Sequence, residues 1–208
     1  MNAGGNMSHV MTESLKEQML KEAEKKYGEF LGVLGYDWKN DPNMQKTPYR
    51  VAKMMLNEIT SGAYEEAPRL AVFPNSGYTG LVAQCNIEVH SLCSHHFLPF
   101  LGVCHAAYIP REGGKVVGLS KLNRIVHWFA KRPQLQENLT KQIHDYLQEV
   151  LDNPLGVAVY IEAKHMCVSL RGAEDDSTMQ THYCSGCFMD NKLNSRDEFL
   201  RMIQNAKK

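Results

Sequence analysis

The sequence predicts an α+β fold, one mixed domain of antiparallel strands and a helix pair preceded by a helical N-terminal extension. Three observations predict it. Apolar residues first recur at helical spacing between charged ones, up to about residue 65. From Leu81 the text changes to short runs with β-branched residues and alternation, bounded by proline and glycine. A second pair of helical stripes then separates those runs from one more clear strand, an order that suits an antiparallel sheet rather than repeated βαβ units.

Residues 1–12, rich in Gly, Asn, Ser and Met, read as a flexible arm, residues 13–65 as a helical region and residues 66–208 as the mixed domain. "TESLKEQMLKEAEKKYGEFLGVLG" places Leu15, Met19, Ala23, Phe30 and Leu31 near helical spacing, and Gly32 or Gly35 ends that helix. In "KTPYRVAKMMLNEITSG", Thr47 is the expected cap, Pro48 opens the helix, Val51, Met54, Met55 and Ile59 form its stripe, and Gly62 stops it. "LVAQCNIEVHSLC" and "LGVCHAAYIP" read as antiparallel strands. Next comes a helix pair: Leu122, Ile125, Val126 and Phe129 make one stripe, with Ser120 as cap. Leu135, Leu139, Ile143, Leu147 and Val150 make the other, with Pro133 at its opening. "GVAVYIEAKHMCVSLRG" reads as a strand that carries His165 and Cys167, and a Ser195 to Glu198 capping box announces a last helix.

Composition narrows the function. With 43% hydrophobic and 22% charged residues, the chain can bury a core. Basic and acidic residues both total 23, so no overall field draws it to nucleic acid or to anionic lipid, and any anion site must be built locally. The N-terminus lacks a basic, apolar, small-residue export pattern, and no apolar run approaches a membrane span. A cytoplasmic location is expected, with the 6 cysteines serving as ligands, catalysts or core residues rather than disulfides.

"SLCSHHFLPF" crowds Cys93, His95 and His96 together. A separation of three brings Cys93 and His96 side by side only in a tight turn, because a strand would send them to opposite faces. In a strand, His165 and Cys167 share a face. Cys93, His96 and Cys167 give three soft or borderline ligands, which suits Zn²⁺ and leaves a fourth tetrahedral position for water. Zinc would lower the pKa of that water toward about 7, and His95 and His165 remain as imidazoles fit for proton transfer. His182, Cys184 and Cys187 in "HYCSGC" form a competing ligand group.

Ser120, Lys121 and Arg124 fall in the first turn of a helix, where free amides and the positive dipole end favour phosphate. Arg50 and Arg171 can add guanidinium forks. Glu137, near a helix start, can accept the paired N1–H and 2-amino donors of guanine in two parallel bonds.

With these residues in view, the sequence resembles the GTP cyclohydrolase I family. The blocks "CSHHFLPF", "GLSKLNRIV", "RPQLQENLTKQI" and "HMCVSLRG" carry the resemblance, in order and with family-like spacing, from "TPYRVAKM" to the end. It implies that Cys93, His96 and Cys167 bind zinc and that His95 and His165 are catalytic, with Ser120 assisting proton movement. It implies triphosphate contacts from Ser120, Lys121, Arg124, Arg50 and Arg171, and guanine recognition by Gln136 with Glu137. It gives the Cys184 and Cys187 pair no role. The implied fold is the tunnelling fold, a four-stranded antiparallel sheet with two antiparallel helices, assembled into a toroidal homodecamer with sites between subunits. The implied reaction hydrolyses GTP at guanine C8, releases formate and rearranges the product to 7,8-dihydroneopterin triphosphate, at the head of folate and tetrahydropterin synthesis. Ser94 departs from the pattern, the family commonly having an acidic residue there. Two other readings are a relative acting on a modified or deoxy guanine nucleotide, and a non-catalytic zinc-stabilised nucleotide-binding protein. The intact His95 and His165 disfavour the latter.

Overall fold

The structure, a computed structural model, describes residues 11–206, so the arm expected at residues 1–12 lies outside the described residues except for its last two. The chain divides into two compact units, one ending at Glu66 and the other beginning at Ala67.

In the first unit, helix α1 spans Glu13–Val33, and Thr12 caps it by accepting from the Leu15 amide at 3.3 Å. The helix stops before Gly35, whose φ of +86° suits the left-handed exit of a helix. Leu31 is buried, but Leu15 and Phe30, expected on the apolar stripe, are 47% and 53% exposed. Helix α2 spans Thr47–Met54; Thr47 is already helical and Lys46 precedes it without a side-chain cap. Over Met55–Ile59 the helix widens to a π turn, and the Thr60 amide and hydroxyl both donate to the Met55 carbonyl, at 3.0 and 2.7 Å. That wider turn re-phases the side chains. Ala52 and Leu56 are therefore the buried pair, while Val51, Met54, Met55 and Ile59 are only half-buried.

The second unit contains, in chain order, β1 (Val72–Pro74), β2 (Val82–Cys93), β3 (Pro99–Ile109), β4 (Lys115–Val117), α3 (Leu119–Ala130), β5 (Pro133–Gln134), α4 (Gln136–Val150), β6 (Gly156–His165), α5 (Met166–Ser169), β7 (Thr178–Cys184) and α6 (Ser195–Ala206). The main sheet has the order β5-β2-β3-β6-β7, and β1 pairs with β4 apart from it. Its four long strands are antiparallel neighbours, and β5 adds a short parallel pairing at the end of β2.

One face of the sheet packs against α3 and α4. Val89, Cys104, Val159 and Ile161 meet Ile125, Val126, Leu139, Ile143 and Leu147 in one continuous core. Fully burying each such aliphatic side chain stabilises by about 2 kcal/mol. The other face places Ala107 and Ala158 under Phe188, Phe199 and Ile203, the last two from α6. Small residues in the strands there let the helix lie close.

Several local expectations are corrected. Gly118, not Ser120, occupies the cap position of α3, and no side chain caps that helix. Pro133 belongs to β5, and α4 begins three residues later behind Leu135. Ser195 lies inside α6, its hydroxyl donating to the Leu193 carbonyl at 3.4 Å rather than capping the Glu198 amide. The strand expected to carry Cys167 ends at His165. Among the described residues no helix is long and apolar enough to cross a membrane.

Gly102 sits opposite Ala163 where β3 meets β6, and a Cβ there would lie 2.0 Å from the Glu162 carbonyl oxygen and 2.5 Å from the Ala163 Cα. Backbone cannot yield as a flexible side chain does. We expect Gly102→Ala to destabilise the protein by about 3 kcal/mol or more, read as a lowered midpoint in urea unfolding.

Candidate active site

Cys93 ends β2 and is buried. Its amide donates to the Leu98 carbonyl and its carbonyl accepts from the Phe97 amide, both at 2.9 Å, closing a turn in which Phe97 takes φ +54°. This is the turn the Cys-x-x-His spacing demands, and it lifts Ser94, His95 and His96 into solvent.

His165 ends β6 directly across from Phe100, and the two rings stack at 4.6 Å with 12° between their planes. Beyond it the chain turns into the single-turn helix α5, so Cys167 meets the site from a helix rather than from a shared strand face. The Cys93 and Cys167 sulfurs and a ring nitrogen of His165 lie within 4.8 Å of one another. Two thiols and an imidazole at that separation can hold a metal ion. Burial, reinforced by the neighbouring Cys93, pushes the Cys167 thiol above its ordinary pKa.

His96, expected as the third ligand, is outside this cluster; its Nε2 accepts from Arg171 Nη1 at 3.2 Å. His182, Cys184 and Cys187 form no such group among the described residues. Burial lowers the pKa of His165, while the nearby charge of Glu137 acts the other way.

A cavity of about 240 Å³ adjoins the cluster, lined among others by Cys93, His95, Gln136, Glu137, His165 and Cys167. Glu137 is exposed in the first turn of α4. Gln136, expected beside it at a purine, is 0% exposed. Its Oε1 lies 2.9 Å from His165 Nε2, and its Nε2 faces Ile161 O, Met179 O and Thr181 Oγ1. The amide borders the cavity but is already committed.

The expected anion group is elsewhere in the same unit. Ser120, Lys121 and Arg124 lie on the first turn and a half of α3 and do not line the cavity. Asn123, which directly precedes Arg124, accepts from the Gln84 side-chain amide near the start of β2, whereas Cys93 is at its end. At about 3.3 Å per strand residue, the two ends are roughly 30 Å apart. Arg50 is exposed on α2 of the first unit. Sequence reasoning missed Phe100, whose only signal was an aromatic residue following the histidine turn.

Comparison with known proteins decides the family. The model of the family described as GTP cyclohydrolase I matches residues 23–204. The chain belongs to the GTP cyclohydrolase I family. A relative named GTP cyclohydrolase 1 from Parabacteroides distasonis is 42% identical over 202 residues, covering 95% of this chain and 98% of that protein. Another so named, from Chlorobium chlorochromatii, is 50% identical over 163 residues, covering 76% of this chain and 70% of its own. A third, from Bacteroides thetaiotaomicron, is 42% identical across 94% of this chain and 97% of its own. This member of the GTP cyclohydrolase I family thus carries its thiol and imidazole cluster at the cavity just described.

Loss of a residue that merely supports a metal ligand weakens binding by about 10–100-fold, so loss of a sulfur should cost at least as much. We expect Cys167→Ala to weaken metal retention by more than tenfold on that scale, measured by equilibrium dialysis with metal analysis of the protein.

Proposed function

We propose that this chain is a GTP cyclohydrolase I, hydrolysing GTP at guanine C8 with release of formate and rearrangement to 7,8-dihydroneopterin triphosphate. The observation that carries the reading is the placement of two thiols, an imidazole and an exposed carboxylate around one cavity in a member of this family. The first three suit metal-assisted hydrolysis, and the carboxylate suits guanine.

Zn²⁺ is the ion that the donor set favours, and its Lewis acidity would make water nucleophilic at neutral pH. Cys93 and Cys167 supply two ligands. His96 is the third: among the described residues the one hydrogen bond to its ring is the exchangeable one from Arg171, whereas His165 is held by Gln136 and Phe100. Glu137 grips N1–H and the 2-amino group of guanine and so aligns the imidazole ring of the base with the sulfurs. His165 carries the proton delivered to N7 as the ring opens, and His95, exposed on the turn, serves the ribose ring oxygen. Ser120 assists the later proton movements.

The triphosphate is bound by Ser120, Lys121, Arg124, Arg50 and Arg171. The separation of α3's first turn from Cys93 along β2 supports a site shared between copies of the chain, in which one copy's cations complete another copy's cluster. A toroidal homodecamer built on the tunnelling fold meets that requirement, and the antiparallel order β2-β3-β6-β7 backed by α3 and α4 is compatible with it. The substrate and product belong to folate or tetrahydropterin synthesis in the cytoplasm.

Incubating the metal-loaded protein with GTP should release one formate per pterin formed, followed by formate assay and pterin fluorescence. Binding of GTP with neither product would overturn the assignment. His165→Ala should retain the metal and lose ring opening, while His96→Ala should lose the metal. Mixing inactive Lys121→Ala and His165→Ala proteins through dissociation and reassembly should restore part of the activity, since some sites then combine an intact cation group with an intact cluster. No recovery would sink the shared site.

A further inference from the structure

We propose that Gln136 is a positioning residue rather than a purine contact: its buried amide, oriented by two backbone carbonyls, dictates which nitrogen of His165 carries a fixed proton. The inference deepens the reading of His165 as a proton carrier and rests on it.

One end of the amide faces the Ile161 carbonyl at 3.2 Å and the Met179 carbonyl at 3.1 Å, with Thr181 Oγ1 at 3.1 Å. Carbonyl oxygens only accept, so that end must be the NH₂. The opposite end is then Oε1, which also only accepts, and it lies 2.9 Å from His165 Nε2. Nε2 must therefore bear hydrogen. In the neutral ring the lone pair then falls on Nδ1.

Turning the amide over would set oxygen against two carbonyl oxygens at a side chain that is 0% exposed. The hydroxyls around it complete a consistent direction. Thr140 donates to the Gln136 carbonyl at 2.8 Å, Thr181 donates to Thr140 at 2.7 Å, and Thr181 can then accept from the Gln136 amide. Phe100 fixes the plane of the imidazole by stacking, and Gln136 fixes its rotation within that plane. Strand positions Ile161 on β6 and Met179 on β7 thus set the proton geometry of a residue to which neither is adjacent in sequence.

The test uses full-length, metal-loaded protein labelled with ¹⁵N-histidine, the His165 ring signals being identified by their loss in His165→Asn. Wild type should show Nε2 protonated and Nδ1 bare. Gln136→Leu should give a mixture of both tautomers, with kcat for formate release reduced about 10–100-fold and KM for GTP changed less than about threefold. Gln136→Glu, whose buried carboxyl when protonated can donate to one carbonyl and accept from Nε2, should restore the tautomer and most of kcat. A proton on Nδ1 in wild type, an unchanged tautomer in Gln136→Leu, or a raised KM with normal kcat would each overturn the proposal. If Gln136→Leu fails to fold, the wild-type and Gln136→Glu spectra still decide. Absence of formate from wild type would strike at the assigned activity instead, since the tautomer is read without turnover.

Discussion

The pairing of β3 with β6 is the constraint on which the site depends. It runs unbroken from Phe100 opposite His165 to Ile109 opposite Gly156. A slip of one residue would turn every side chain of β6 to the other face, taking His165 off Phe100 and setting Ala158 against α3 and α4 in place of Val157 and Val159. Both faces of the sheet are packed, so both oppose that slip. Gly102, with no room for a Cβ beside Glu162 and Ala163, keeps the two backbones in contact two residues from Phe100.

What the sequence revealed followed its strongest periodicities. The stripes Leu122, Ile125, Val126, Phe129 and Leu139, Ile143, Leu147 are the buried faces of α3 and α4, because long amphipathic helices leave a repeated mark. Strand β7 left almost none: over Thr178–Cys184 only Met179, Thr181 and Cys184 are even half-buried, and the run holds Thr, Gln and His where a central strand would hold Val or Ile. Caps were misplaced for a related reason. Ser120 and Pro133 are residues that favour helix starts, but here the chain first extends through Gly118 and through β5, which pairs with the end of β2.

Only some of the expected site residues meet: His96, Ser120, Lys121, Arg124, Arg50 and Arg171 do not line the cavity. Cys93, His95, His165, Cys167 and Glu137 converge on one cavity, yet the reasoning that joined His165 to Cys167 relied on strand alternation that stops at His165. Gln136 was paired with Glu137 through the family resemblance, which does not say which way each side chain points. On a helix start, adjacent residues point about 100° apart, so one can face the cavity while the other is buried in the sheet. Ile161, Met179 and Thr181 reach Gln136 only through tertiary pairing, and no local pattern announces them.

The short helix α5 separates two mechanical roles. His165 belongs to the sheet, with a strand neighbour, a stacked ring and a buried amide all fixing it. Cys167 rides on a single turn closed by the Leu170 amide bonding to the Met166 carbonyl at 3.0 Å, and the residues just after it are exposed. Such a turn can open locally at far less cost than the core beneath it. A movement confined to that one turn can therefore shift Cys167 relative to His165 while the sheet that holds His165 stays in register.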